Sequence, residues 1–225
     1  MGYSEKDVLR LSGLLKEIQG RKAHDRDATT YRDVPAMLEI EQTVERQLSA
    51  NGNGACDADA ETLRDSIAVL RFLADAYDSM GRSARSAKLY GHILTLAALL
   101  KTKYDEDTEA VSDIFYTALR ARNVYRDDDC ADLETLAVCL LPRDDVERMI
   151  SERRAHRRTL RHDPVEATEE YLAVIDLVEA RIEKNRKTYG HGSCYEIWSL
   201  KTAYLAEYGI EWRSPAQMNP KFRFD

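Results

Sequence analysis

Few residues in this chain have types and spacing that could do chemistry. His191 and Cys194, in the pattern His-x-x-Cys, stand where a helix is expected to begin. Two such ligands could contribute to a zinc site, but a structural site takes about four, and no other His or Cys is close in sequence. Cys194 at a helix N-terminus is also a candidate nucleophile, because the positive end of the helix stabilises a thiolate. No partner base can be assigned to it. The plainer reading is favoured: a turn between helices, with Gly190 and Gly192 giving the bend and Cys194 semi-buried.

A second candidate is the basic run Arg153, Arg154, Arg157, Arg158 and Arg161, which has no intervening acid. At helical spacing Arg154, Arg157, Arg158 and Arg161 share one side and could bind phosphate groups or RNA. The favoured alternative is a solvated helix end, whose cations suit the C-terminal dipole and pair with Glu166, Glu169 and Glu170. Stacking aromatics are not interleaved with these arginines. Asp128-Asp129 and Asp144-Asp145 fall at expected helix boundaries, where capping and solubility account for them. There is no glycine-rich phosphate loop, no G-x-S-x-G, no H-E-x-x-H and no paired E-x-x-H helices. No catalytic residue, metal ligand set or cofactor is therefore assigned, and the chain is read as non-enzymatic.

Composition agrees with a helical scaffold. Of 225 residues, 32% are charged and 8% aromatic, with ten Gly and five Pro. The net charge of −7 argues against the surface as a whole binding nucleic acid or an anionic membrane. Cys56, Cys130, Cys139 and Cys194 are widely spaced, without a C-x-x-C pair, and read as reduced thiols in a cytosolic chain. No apolar run approaches the ~20 residues of a membrane span. MGYSEKDVLR lacks a signal peptide's regions, Lys6 stands where N-myristoylation expects Ser or Thr, and the C-terminus has no CaaX box. A soluble, unanchored, cytoplasmic protein is expected.

The elements that would position any site follow from periodicity. One helix is predicted over 4–19, with Ser4 as N-cap, Val8, Leu11, Leu14, Leu15 and Ile18 as its stripe, and Gly20 at its end. A second starts at Pro35 with Met37, Ile40, Val44 and Leu48 and stops at Asn51-Gly52-Asn53-Gly54. Helices over about 59–80 and 83–102 follow, the latter long enough to serve as a packing platform. The next, capped by Asp107 or Thr108, carries Val111, Ile114, Ala118, Ala121 and Tyr125. Another carries Leu133, Leu136, Ala137 and Leu140 to Pro142, and a further one covers Arg143 to about Arg161. Asp163-Pro164 opens a helix through Tyr171, Leu172, Ile175, Val178 and Ile182 to Tyr189. Ser193 with Glu196 reads as a capping box for a last helix closed by Gly209. The remainder, 210–225, is broken by Pro215 and Pro220 but too apolar for disorder. It is expected to lie extended over the scaffold, burying Trp212, Phe222 and Phe224, as a strap on the last hairpin or as a segment lining a groove.

Within this series Leu70, Leu73, Ala74, Tyr77, Gly81, Tyr90 and Ile93 make the strongest pattern: two anchors, a small crossing residue, an aromatic, a turn glycine and a second aromatic. Residues 70–94 resemble a tetratricopeptide repeat. Residues 111–142 resemble one more loosely, with Ala118 44 positions after Ala74, and 165–208 share the hairpin form. The resemblance implies an all-α solenoid of about eight or nine helices in one domain, 1–225. Its parts would be an N-terminal hairpin (4–54), two repeat-like hairpins (59–142), C-terminal helices (143–209) and the apolar tail (210–225). It further implies a protein or peptide partner held in a concave groove. By position that groove would hold Ala68, Arg71, Asp75, Asp78 and Ser79, then Ser112, Phe115, Leu119, Arg122 and Asn123. Of these, Arg71, Asp75, Asp78, Phe115 and Arg122 are the principal candidates. Members that clamp a terminal carboxylate use Lys, Arg and Asn at such positions, and Asp75 stands where Asn is expected.

Overall fold

The computed structural model describes residues 5–24, 33–49, 55, 58–123, 130–155, 160–190 and 192–224. Among them the chain is all-helical, without a strand. It divides into two compact units, Met1–Arg122 with Asp128–His156, and Asn123–Asp127 with Arg157–Asp225.

The first unit contains α1 (Glu5–His24), α2 (Val34–Ser49), α3 (Ala60–Ser79), α4 (Ser83–Tyr104), α5 (Val111–Asn123), α6 (Ala131–Ala137) and α7 (Arg143–Ala155). α1 packs on α2, α2 on α3, α3 most extensively on α4, and α6 on α4. The stripe of α2 lies in the core as expected, with Met37, Ile40, Val44 and Leu48 buried. In α1, Leu11, Leu14 and Ile18 are buried but Val8 is 50% exposed, so the stripe starts one turn later than its spacing suggests. The helix also runs through Gly20 to His24. The expected cap Ser4, the break at 51–54, Tyr125 and the pair Asp128-Asp129 lie outside the described residues.

The α3–α4 hairpin has local causes that can be named. Asp59 caps α3 by accepting from the Thr62 N–H at 2.8 Å, satisfying one of the donors a helix start leaves open. Leu70, Leu73, Ala74, Tyr77 and Ile93 are fully buried and Tyr90 nearly so. Each such large apolar side chain contributes roughly 1.5–3 kcal/mol. At the far end the Arg82 N–H donates to the Tyr77 carbonyl at 2.8 Å and the Gly81 N–H to that of Asp78 at 3.0 Å. This paired closure needs a left-handed residue between them, and Gly81 supplies it at φ +72°. A Cβ there would meet nothing within 4 Å. Gly81→Ala should therefore cost only the backbone term, roughly 1–2 kcal/mol. A loss several-fold larger in urea unfolding would mean that the site is crowded as well.

α4 extends to Tyr104, beyond what the hairpin requires. Its end returns to the start of α3, where the Tyr104 hydroxyl and Lys103 Nζ both donate to the Ala58 carbonyl, at 2.7 and 3.2 Å. Its middle carries α6, since a Cβ on Gly91 would stand 3.8 Å from Leu133 Cδ2. α5 begins at Val111, later than an Asp107 or Thr108 cap would place it. Asp107 pairs with Lys101 at 3.1 Å instead, and Thr108 Oγ1 is buried without a hydrogen bond.

The second unit contains a 3₁₀ helix (Pro164–Ala167), α8 (Glu169–Asn185), α9 (Ser193–Ala206) and α10 (Pro215–Met218), with α8 against α9. The single helix expected from 164 to 189 is divided. Asp163 caps the 3₁₀ turn through the Val165 N–H, and Thr168 then caps α8 afresh through the Tyr171 N–H. α8 ends at Asn185 rather than Tyr189. Its stripe of Tyr171, Leu172, Ile175, Val178 and Ile182 is buried as expected.

The Ser193–Glu196 capping box does not form. Gly192 takes the cap position at φ +81°. The Glu196 carboxylate turns back to accept from the Lys187 and Thr188 N–H groups at 3.0 and 2.7 Å. Gly209 closes α9 at φ +74°, with the Ile210 N–H bonded to the Leu205 carbonyl at 3.1 Å. The segment after it is not extended throughout. Ser214 and Gln217 make a reciprocal capping box around α10.

Candidate functional site

The face of α3 opposite its buried stripe carries Ala68, Arg71, Asp75, Asp78 and Ser79. Ala68, Asp75 and Ser79 are exposed, Arg71 and Asp78 partly so. The charges are largely engaged within the protein. Tyr90 of α4 donates its hydroxyl to Asp75. Burial, then this bond and the charges of Asp75 and Asp78, push the phenol well above its ordinary range, so it remains the donor. Asp78 is ion-paired with Arg120 of α5. That pair joins the exposed sides of α3 and α5, and Arg64 with Glu106 at 2.5 Å adds a second tie between α3 and the segment before α5.

Phe115 does not belong to this face. It is fully buried, and Leu119 beside it is 4% exposed. The exposed side of α5 is Ser112, Tyr116 and Arg120, with Tyr116 42% exposed. Arg122 also points elsewhere, holding Asp132 of α6 through two bonds of 2.5 Å. That hydrogen bond first, and then the charge, lower the Asp132 pKa against the opposing effect of burial. The repeat offset places Arg122 opposite Asp78; the residue that arrives there is Arg120, 42 positions on. The departure from the 44-residue offset is one a sequence cannot show, because the crossing of the two helices sets it.

The chain matches no protein-family model, no curated protein and no solved structure.

The other sequence candidates lie in different places. Among the described residues no three His, Cys, Asp or Glu side chains converge as a metal site. His191 and Cys56 lie outside those residues, and Cys194 is half-buried in the first turn of α9. Cys130 is buried, whereas exposed Cys139 donates its thiol to the Thr135 carbonyl at 3.3 Å. Arg154 belongs to the last turn of α7, and its side chain, like Arg157 and Arg158, is outside the described residues. Arg161 is exposed but not helical, so it does not extend a stripe from α7. No helix among the described residues is long and apolar enough to cross a membrane.

Sequence reasoning missed a buried polar cluster in the second unit. Glu166 is 7% exposed; its carboxylate accepts from the Trp212 indole N–H at 2.6 Å and bonds His162 Nδ1 at 2.8 Å. Lys201 Nζ stands over the Trp212 ring at 4.7 Å and the Tyr171 ring at 5.4 Å. Asp163, 4% exposed, accepts from the Arg213 N–H at 2.7 Å and from its guanidinium at 3.1 and 3.3 Å. The Asn219 side chain bonds both the N–H and the carbonyl of Arg161 at 2.8 Å. These contacts fasten residues 212–219 to 161–166. Three parts of this cluster had a sequence signal: Asp163-Pro164 as a helix start, Tyr171 on the apolar stripe of α8, and Trp212, buried as expected. Phe222 remains 55% exposed, against the expectation that it is buried, while Phe224 packs edge-on to Trp198 at 5.1 Å.

Proposed function

We propose that the chain is a non-enzymatic interaction protein whose tetratricopeptide-like hairpins bind a protein or peptide partner on the exposed face shared by α3 and α5. The observation that carries this reading is the Asp78–Arg120 ion pair, which ties a side chain on the outer face of α3 to one on the outer face of α5. A receptor surface ordered before binding loses little further freedom when a partner arrives. The pairing also narrows the contact groups. Asp78, Arg120 and Arg122 serve the scaffold, which leaves Arg71 and Tyr116 as the side chains best placed to meet a partner. Aromatic and Arg residues are the ones that carry most interface energy. A cytoplasmic location accompanies this reading, on the four dispersed cysteines.

The test is site-specific photo-crosslinking in the native host, with the photoreactive residue at Tyr116 and, as a control, at Tyr208 in the second unit. One protein is expected to crosslink at 116 alone, and Arg71→Glu should reduce its yield roughly fivefold or more. The same yield from both positions, or indifference to Arg71→Glu, would remove the α3–α5 face as the site.

A further inference from the structure

The arginine run lacks interleaved aromatics, but the second unit assembles elsewhere the combination that the run does not have. Three segments meet around the start of α9. The Tyr195 hydroxyl donates to the Phe224 carbonyl at 3.0 Å, and Trp198 packs edge-on to both Tyr195 and Phe224. Glu196 draws in the backbone of Lys187 and Thr188. The Phe222 N–H bonds the Asn219 carbonyl at 3.0 Å, and the Asn219 side chain in turn holds Arg161. These contacts run from Arg161 through Asn219 and the 222–224 segment to Tyr195, Glu196 and Lys187, and along them Arg161, Lys187, Tyr195, Lys221, Phe222 and Arg223 are exposed.

Glu183 is paired with Arg186 at 2.7 Å, and Glu196, which accepts from the Lys187 and Thr188 N–H groups, keeps its negative charge beside Lys187; against that one carboxylate stand the cations of Arg161, Lys187, Lys221 and Arg223. Lys221 and Arg223 have no carboxylate partner among the described residues. Tyr195 and Phe222 are 54% and 55% exposed, so single rings alternate with cations. Anionic lipid is a poorer fit, because a surface that inserts into a membrane needs an apolar face several residues wide. Here the exposed apolar groups are isolated rings.

We infer that this end of the second unit binds single-stranded nucleic acid, with bases stacking on Phe222 and Tyr195 and phosphates meeting Arg161, Lys187, Lys221 and Arg223. Stacking on rings beside a cationic track is how sequence-tolerant single-strand binding works. The proposal is independent of the α3–α5 reading, which concerns the other unit.

The probe is a labelled single-stranded RNA of ~12 nucleotides, titrated with the full chain by fluorescence anisotropy between about 50 and 200 mM salt. Four phosphate contacts predict a slope of log affinity on log salt of about −2.8, and Lys221→Ala with Arg223→Ala should flatten it to about −1.4. Phe222→Ala should weaken binding by a factor of roughly 5 to 150. The melting temperature should hold in all these variants, since the replaced side chains are exposed. Arg71→Glu should change nothing, and Lys221→Arg, which keeps the charge, should keep the wild-type slope. Absence of binding at low salt, equal affinity for a duplex of the same length, binding to phosphatidylserine vesicles alone, or indifference to these variants would each overturn the assignment.

Discussion

Trp212→Ala is expected to destabilise the second unit by about 3–5 kcal/mol, the usual cost of emptying a large aromatic site. Trp212 is 5% exposed, and its loss removes more than volume. The indole N–H is one of the groups that compensate the buried Glu166 carboxylate, and a buried acceptor deprived of a donor costs about 1–3 kcal/mol by itself. Trp212→Phe separates the two effects, since it keeps most of the ring and loses the donor, so it should show only the smaller cost. Urea unfolding followed by hydrogen exchange at α8 and α9 would report on this unit alone. Unchanged protection in Trp212→Ala would show that the indole contact does not hold the segment.

The same cluster sets an acid limit. Burial pushes Glu166 up, but the His162 hydrogen bond, the charges of Lys201 and His162 and the indole N–H together hold it below the ordinary carboxylate range. For Asp163, burial is likewise outweighed by the Arg213 side chain and by the Arg213 and Val165 N–H groups. Because both folded values lie below the unfolded ones, the unfolded chain binds more protons as pH falls. Their stabilisation is therefore whole above the unfolded carboxylate range, about pH 4, and is lost as pH drops through the lower folded values. Exchange protection over 212–219 should fall below about pH 4, and Glu166→Gln should make that decline shallower. A steepest loss at a higher pH would show that these two carboxylates do not set the limit.

Phe115→Ala is the second large expected effect, and it decides between two placements of one residue. As a side chain lining a groove, Phe115 could be truncated within about 0.5 kcal/mol of wild-type stability. As a fully buried residue, it should cost about 3–5 kcal/mol. The core placement predicts a clear drop in urea midpoint with little change in slope. A neutral variant would return Phe115 to the surface. Tyr116→Ala is the matching control, expected to stay near wild type because its ring is largely outside the core.

These contrasts mark where sequence reasoning held. The stripes of α2, α3 and α8 were legible because helical geometry repeats every 3.6 residues and only one side of each helix is apolar. The closures at Gly81 and Gly209 were legible because a left-handed residue is a local requirement that few side chains meet. Asp163-Pro164 announced a helix start, though not that Thr168 would break and restart it a few residues later. Glu196 was misassigned for a related reason. Its spacing from Ser193 permits a capping box, but the carboxylate also reaches the Lys187 and Thr188 N–H groups, and only the fold of the preceding loop brings these donors within reach.

What the amino-acid order determined by itself was therefore the helical class, most boundaries to within a turn, and which side of the regular helices is buried. All of these depend on neighbours within about four positions. The tertiary structure alone decided that Phe115 is core and Tyr116 surface, that Asp78 meets Arg120 while Arg122 turns to Asp132, and that Glu166 receives Trp212. In each case the partner lies at least ten positions away, or burial depends on which helix crosses above. No local periodicity carries that information.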